Sequence, residues 1–160
     1  MLPALVPGTS PASMKDLNAA GTSAGRVVGV LLVAHGKLGH YLLETMTDML
    51  GPLPLPADVL EVRRVQDPNV LLRQGGRMIE RLNRGQGVLI LTDAYGSTPS
   101  NIATRLHVSG TTSVVAGMNL PMLVRIFNYP TLNLAGLTVA AVEGGQRGIV
   151  VCDQPGKAKG

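Results

Sequence analysis

The chain has 160 residues, ample for one domain and short for two. A charged fraction of 15% beside a hydrophobic fraction of 45% excludes a disordered chain. The single Cys152 excludes an internal disulfide framework, and a net charge of +4 with 2% aromatic residues leaves little for stacking nucleic-acid bases.

The first 25 residues are rich in Pro, Gly, Ser, Thr and Ala. They lack the basic start and apolar stretch of a signal peptide and read as a flexible leader. A folded domain is expected over 26–152, with a flexible tail over 153–160. No stretch approaches the roughly 18 apolar residues of a membrane span, so direct membrane insertion is not expected. The reduced cysteine usage fits a cytoplasmic setting.

Val27–Ala34 is continuously apolar and predicts a buried parallel strand ending beside His35 and Gly36. The segment 37–50 predicts a helix with Leu38, Leu42, Met46 and Met49 or Leu50 on one stripe, stopped by Gly51. Proline-rich 51–56 is a connector. Val59–Val65 alternates apolar and polar residues, as a strand nearer the sheet edge does. Asp67-Pro68 reads as a cap and a first-turn proline for a helix to about Asn83. Gly75 and Gly76 weaken that helix by roughly 1 kcal/mol each relative to Ala. Its Arg73, Arg77, Arg81 and Arg84 recur at helical spacing, as on a solvated face.

Val88–Thr92 is a second buried strand, ending at Asp93. Thr98-Pro99 repeats the cap-and-proline signature and opens a helix to about Leu106. Thr112–Ala116 is a short strand, and 117–121 leads into a helix over Met122–Phe127. A further helix is expected over Leu132–Glu143 and a terminal strand over Gly148–Val151. Strand and helix alternate throughout. The fold expected is α/β: a doubly wound, mainly parallel sheet with helices on both faces.

In such a sheet, ligands and chemistry gather at the carboxyl ends of the strands. His35 and Asp93 end the two most apolar strands, so both fall on that edge. A carboxylate on one ring nitrogen would fix the imidazole tautomer and leave the other nitrogen's lone pair outward. Gly36 leaves room for close approach, and the helix start behind it offers free N–H groups to a phosphate. Gly96, Ser97 and Thr98 present hydroxyls and backbone N–H groups at another helix start, which suits an oxyanion. His40 and His107 read as surface or capping residues. No His/Cys/Asp set has zinc-like spacing, and no phosphate-binding glycine loop of the nucleotide type occurs, so neither a metal nor a cofactor is expected.

Three separated motifs then point to one family. Val33-Ala-His35-Gly36, Leu91-Thr-Asp93-Ala-Tyr-Gly96-Ser-Thr98-Pro99-Ser-Asn101 and Val115-Ala-Gly117-Met-Asn119-Leu-Pro121 occur in this order, followed by Glu143-Gly144-Gly145. The pattern resembles the IIA component of the mannose/fructose/sorbose class of the bacterial phosphotransferase system, over about Arg26 to Val151. The resemblance implies that His35 takes phosphate from the phosphocarrier HPr and donates it to a IIB protein, with Asp93 as the acid beside it. It also implies a homodimer with exchanged antiparallel edge strands, and a phosphotransferase serving sugar transport or its regulation. Thr98 falls where serine is common, which keeps the hydroxyl; Ser97 falls where a second glycine is common. No IIB segment is expected within this chain, so any IIB partner is separate or missing. The alternative reading is a sirohydrochlorin or cobalt chelatase, which shares a Leu-Leu-Val-x-His-Gly start and uses the histidine as a metal ligand. That activity would need a second histidine in the same cleft.

Overall fold

The computed structural model describes residues 25–153; the proposed leader lies outside them except for Gly25, and the tail except for Asp153. The elements are β1 (Gly29–His35), α1 (Leu38–Leu50), β2 (Ala57–Val62), α2 (Pro68–Leu82), β3 (Val88–Thr92), α3 (Thr98–Arg105), β4 (Thr112–Ala116), α4 (Leu120–Asn128) and α5 (Leu134–Arg147). The four strands form one parallel sheet in the order β2-β1-β3-β4. β1 and β3 are therefore central, which is why their sequences are apolar without alternation. β2 and β4 are the edges.

Helices cover both faces. On one side Val30, Leu32, Leu89 and Leu91 pack against Met46 of α1, Leu123 and Ile126 of α4, and Leu137 and Ala140 of α5. On the other, Leu31, Val33, Val88 and Ile90 meet Leu71, Met78 and Ile79 of α2 and Ile102 and Ala103 of α3. The aliphatic core expected from the composition is thus split into two layers by the sheet.

Three helices begin as capped structures. Asp67 accepts the N–H of Asn69 at 2.9 Å, Asn119 that of Met122 at 2.9 Å, and Asn133 that of Gly136 at 2.8 Å. The Asn133 cap starts α5 at Leu134 rather than Leu132, and the helix continues past Glu143 to Arg147. Gly144 and Gly145 do not stop it, because they face α4. A Cβ on Gly144 would collide with Arg125 and one on Gly145 would reach Met122. These glycines let two helices approach closely.

Three expectations need correction. The strand expected over Val59–Val65 runs instead over Ala57–Val62, and Arg63–Gln66 turns, with the Gln66 N–H donating to the Arg63 carbonyl at 3.2 Å and the Gln66 side chain accepting from the Arg63 N–H at 2.7 Å. Gly148–Val151 forms no strand. Gly148 closes α5, and Ile149, Val150 and Val151 are exposed and pair with no strand. Of the stripe expected on α1, Met46 is buried and Leu42 partly buried against the core, whereas Leu38, Met49 and Leu50 are exposed.

The two glycines of α2 differ in kind. A Cβ on Gly75 would lie 2.6 Å from Leu106 and 3.2 Å from Leu60, whereas one on Gly76 meets nothing within 4 Å. Gly76→Ala should therefore raise the unfolding free energy by about 1 kcal/mol through helix propensity alone. Gly75→Ala should give no such gain, because overpacking offsets it. Urea unfolding of both variants checks this; a stabilisation by Gly75→Ala equal to that of Gly76→Ala would contradict the packing described.

Candidate functional site

His35 is the last residue of β1 and Asp93 the first after β3. These strands are neighbours in parallel register, with Val33 opposite Thr92, so the two side chains emerge together at the carboxyl edge. One carboxylate oxygen of Asp93, Oδ2, accepts the backbone N–H of His35 at 2.9 Å and lies 2.7 Å from its ring nitrogen Nδ1. The other oxygen accepts the N–H of Ala94 at 2.8 Å. The imidazole is held at Nδ1 while Nε2 stays free. Exposure separates the pair: 56% of the His35 side chain is accessible, against 10% for Asp93.

Burial pushes the Asp93 carboxyl upward. The His35 backbone N–H, the His35 ring and the Ala94 N–H outweigh it and hold the group below its ordinary value. Asp93 is a carboxylate at neutral pH. A carboxylate 2.7 Å from Nδ1 favours the ring tautomer with its proton on that nitrogen.

The turns on either side are built for access. Gly36 has φ of +50° and Gly96 of +81°, values that glycine adopts without the Cβ clash of other residues. The Gly36 N–H reaches back to the Val62 carbonyl at 3.1 Å, joining the end of β1 to that of β2. α1 and α3, the two helices that begin beside His35, differ from the other three. Neither Lys37 nor Ser97, their N-caps, makes a side-chain cap. In α3 the first i to i−4 bond is from Asn101 N–H to the Ser97 carbonyl at 2.9 Å, so the N–H groups of Thr98 and Ser100 stand ahead of the ladder. Helix N-termini of this kind attract anions.

Thr98 is not the cap the sequence suggested. Ser97 holds that position, and its hydroxyl donates to the Ala94 carbonyl at 2.6 Å instead of capping. Thr98 is exposed at the first helical residue, with Pro99 next. Ser100 is the residue that sequence reasoning missed: it is buried, and its hydroxyl accepts the Gly96 N–H at 3.3 Å, bracing the turn. Its place near the helix start, beside a glycine needing support, was the available signal. The Thr92 carbonyl was missed as well. It accepts from both Gly117 and Met118 at 3.0 Å and ties the β4–α4 loop to the same edge.

His40 and His107 stand apart from this arrangement. His40 lies on α1, with Nε2 4.0 Å from Glu61. His107 follows α3, which runs away from the carboxyl edge, and its Nδ1 is 3.1 Å from the hydroxyl of Thr112 at the start of β4. The second histidine that a chelatase needs is therefore not brought to His35. Among the described residues no group of three His, Cys, Asp or Glu side chains could hold a metal ion. A surface depression beside β2 is lined by His40, Asp58, Glu61, Arg77 and Arg81, and does not include His35 or Asp93. The His35–Asp93 site is open, as a group that meets another protein needs to be.

Residues 29–142 match the family model EIIA-man, the PTS system fructose IIA component. The chain belongs to this family. It is 28% identical over 127 residues to the mannose-specific EIIAB component of Escherichia coli K12, a match covering 76% of this chain and 38% of that protein. The chain thus matches little more than a third of that relative's length. Among solved structures, the mannose/sorbose-specific IIA subunit from Enterococcus faecalis is similar with a TM-score of 0.71 and 22% identity, covering 81% of this chain and 97% of that one. The EIIA component from Streptococcus agalactiae is similar with a TM-score of 0.68, also at 22% identity, covering 78% and 96%. These two share the fold.

Proposed function

We propose that His35 is the phosphorylated residue of this chain, taking phosphate from phospho-HPr and passing it to a IIB protein. One observation carries the reading: Asp93 Oδ2 bonds both the backbone N–H and Nδ1 of His35, which leaves Nε2 accessible at the sheet edge.

In the transfer, the Nε2 lone pair attacks phosphorus on the donor. The donor's N–P bond breaks, and its electron pair returns to the donor ring. Positive charge grows on the His35 ring, and Asp93 faces it across the Nδ1 proton. The phosphoryl oxygens meet the uncapped starts of α1 and α3, with Gly36, Gly96 and Ser97 shaping the approach and the Thr98 hydroxyl adding a donor. Phosphoryl transfer needs little more than such positioning and electrostatic support. Donation to IIB runs the same steps in reverse on a different acceptor. The reaction handles only protein-borne phosphate, so it serves sugar uptake and regulation equally. No helix among the described residues is long and apolar enough to cross a membrane. Since HPr is the donor, the site of action is the cytoplasm.

We also propose a homodimer. β4 is an edge strand, and the exposed run Ile149–Val151 leaves α5 without a place in its own sheet. Exchange of that segment onto the partner's β4 would bury three apolar side chains and remove two open edges.

Incubation with phospho-HPr and mapping of acid-labile phosphate tests the transfer. His35→Ala should abolish labelling. Asp93→Asn should slow it about tenfold to a thousandfold, as loss of about 1.4–4 kcal/mol of orienting and electrostatic stabilisation would. Thr98→Ala should cost less than the histidine change, because backbone donors remain. Full incorporation by His35→Ala would sink the assignment. Sedimentation at micromolar concentration should give a dimer; a truncation after Gly148 should shift it to monomer, and a monomer from the intact chain would refute the exchange.

A further inference from the structure

We infer that the cleft between α1, α4 and α5 binds a small amphipathic anion, with its oxyanion head on Arg125 and Arg147 and its apolar body along α1 and α4. The inference goes beyond the phosphocarrier reading of His35 and does not rest on it.

α4 buries Leu123 and Ile126 in the core. Another side of the same helix lines a cleft of about 710 Å³, together with Met49 of α1 and Gly144, Arg147 and Gly148 of α5. That volume falls within the roughly 300–1,000 Å³ of small-molecule sites. Part of the wall is apolar. Leu120 and Val124 are packed only partly against the core, and Met49 is 56% exposed. Met49 ends the apolar stripe of α1, and this cleft is the use the fold leaves for it. Two glycines let the helices meet here. A Cβ at Gly144 would collide with the stem of Arg125, and one at Gly148 with Pro121.

Charge decides what fits. Arg125 is held in place, with its stem against Gly144 and its guanidinium carbon 5.9 Å from the centre of the Tyr129 ring, a cation–π distance. Neither Arg125 nor Arg147 takes part in any ion pair among the described residues. Glu143 stands one residue before Gly144 and pairs with neither, and no Asp or Glu lines the cleft. The depression beside β2 is the contrast, because there Asp58 already engages Arg81 at 3.4 Å and Glu61 engages Arg63 at 3.4 Å. A guanidinium offers a fork of donors that matches an oxyanion, and one already fixed by packing loses less freedom when it binds. A cation would be repelled from this cleft, and a neutral ligand would leave both arginines unused. A bare anion would leave Met49, Leu120 and Val124 wet. An oxyanion with an apolar body satisfies both halves.

Four probes separate head from body: octanoate, octyl phosphate, 1-octanol and inorganic phosphate, each titrated into the full-length isotope-labelled chain and followed by NMR. Octanoate or octyl phosphate should give saturable shifts centred on residues 120–129 and 144–148. The tighter of the two identifies the head as carboxylate or phosphomonoester, and either supports the site. Arg125→Gln/Arg147→Gln should weaken that ligand about tenfold or more, the scale of a lost charged hydrogen bond. The affinity for 1-octanol should not change in this variant. Met49→Ser should weaken the anion and the alcohol alike. Arg147→Gln alone, at an exposed position, covers the case in which the double variant does not fold, and should weaken the anion several-fold. Absence of saturable shifts in these segments would overturn the site. Equal affinity of the anion for the unmodified chain and the arginine variants would overturn the role of charge, as would an equal loss for anion and alcohol. Inorganic phosphate binding as tightly as the octyl anions would overturn the apolar half.

Discussion

The contact on which the site depends is the double acceptance by one oxygen of Asp93, from the backbone and the ring of His35. A single hydrogen bond to the ring would leave the imidazole free to swing about its first torsion. The backbone bond fixes the carboxylate to the end of β1, and the ring bond fixes the imidazole to the carboxylate. Because Asp93 also accepts from Ala94, its position is determined from both strands at once. The result is an imidazole held in place by its Nδ1 side, which in the proposed transfer needs no reorganisation when a donor arrives. The sheet makes this possible: two parallel neighbours in register end at the same level, and only there can residues 58 positions apart share an oxygen.

Around that contact the helix starts divide by role. Where a helix follows β2, β4 or α4, an Asp or Asn closes it: Asp67, Asn119 and Asn133. Where it begins beside His35, the cap is Lys37 or Ser97 and the N–H groups are left to other partners. Leaving donors open costs helix stability, roughly 1 kcal/mol per missing cap. Such a cost concentrated at one edge is what a site for a transient anion requires, since a side-chain oxygen already on those N–H groups would compete with the phosphate. Glycine at 36 and 96 follows the same logic, giving tight reversals with no side chain in the approach path.

Much of this was legible in the sequence because it rests on local rules. The unbroken apolar runs ending at His35 and Asp93 marked central parallel strands, and the rule of carboxyl ends then placed both residues on one edge. Asp67-Pro68 announced α2 through its cap. What escaped was non-local. Whether Thr98 or Ser97 caps α3 depends on the Ala94 carbonyl, which draws the Ser97 hydroxyl away. Whether Gly144 ends or joins α5 depends on Arg125 lying against it. Whether 148–151 forms a strand depends on pairing with another strand, and here it pairs with none. The alternation that suggested a strand to Val65 was broken by Gln66 turning back on Arg63, which leaves Val65 exposed.

The claim at the centre is that Asp93 reserves Nδ1 and leaves Nε2 to react. Phosphorylating the protein and reading the ring nitrogens of His35 by NMR tests it directly, because the two phosphohistidine isomers differ in which nitrogen bears phosphorus. Phosphate on Nε2, with Nδ1 still protonated toward Asp93, is the expected result. Phosphate on Nδ1 would require the Asp93 contact to break before transfer and would contradict the account.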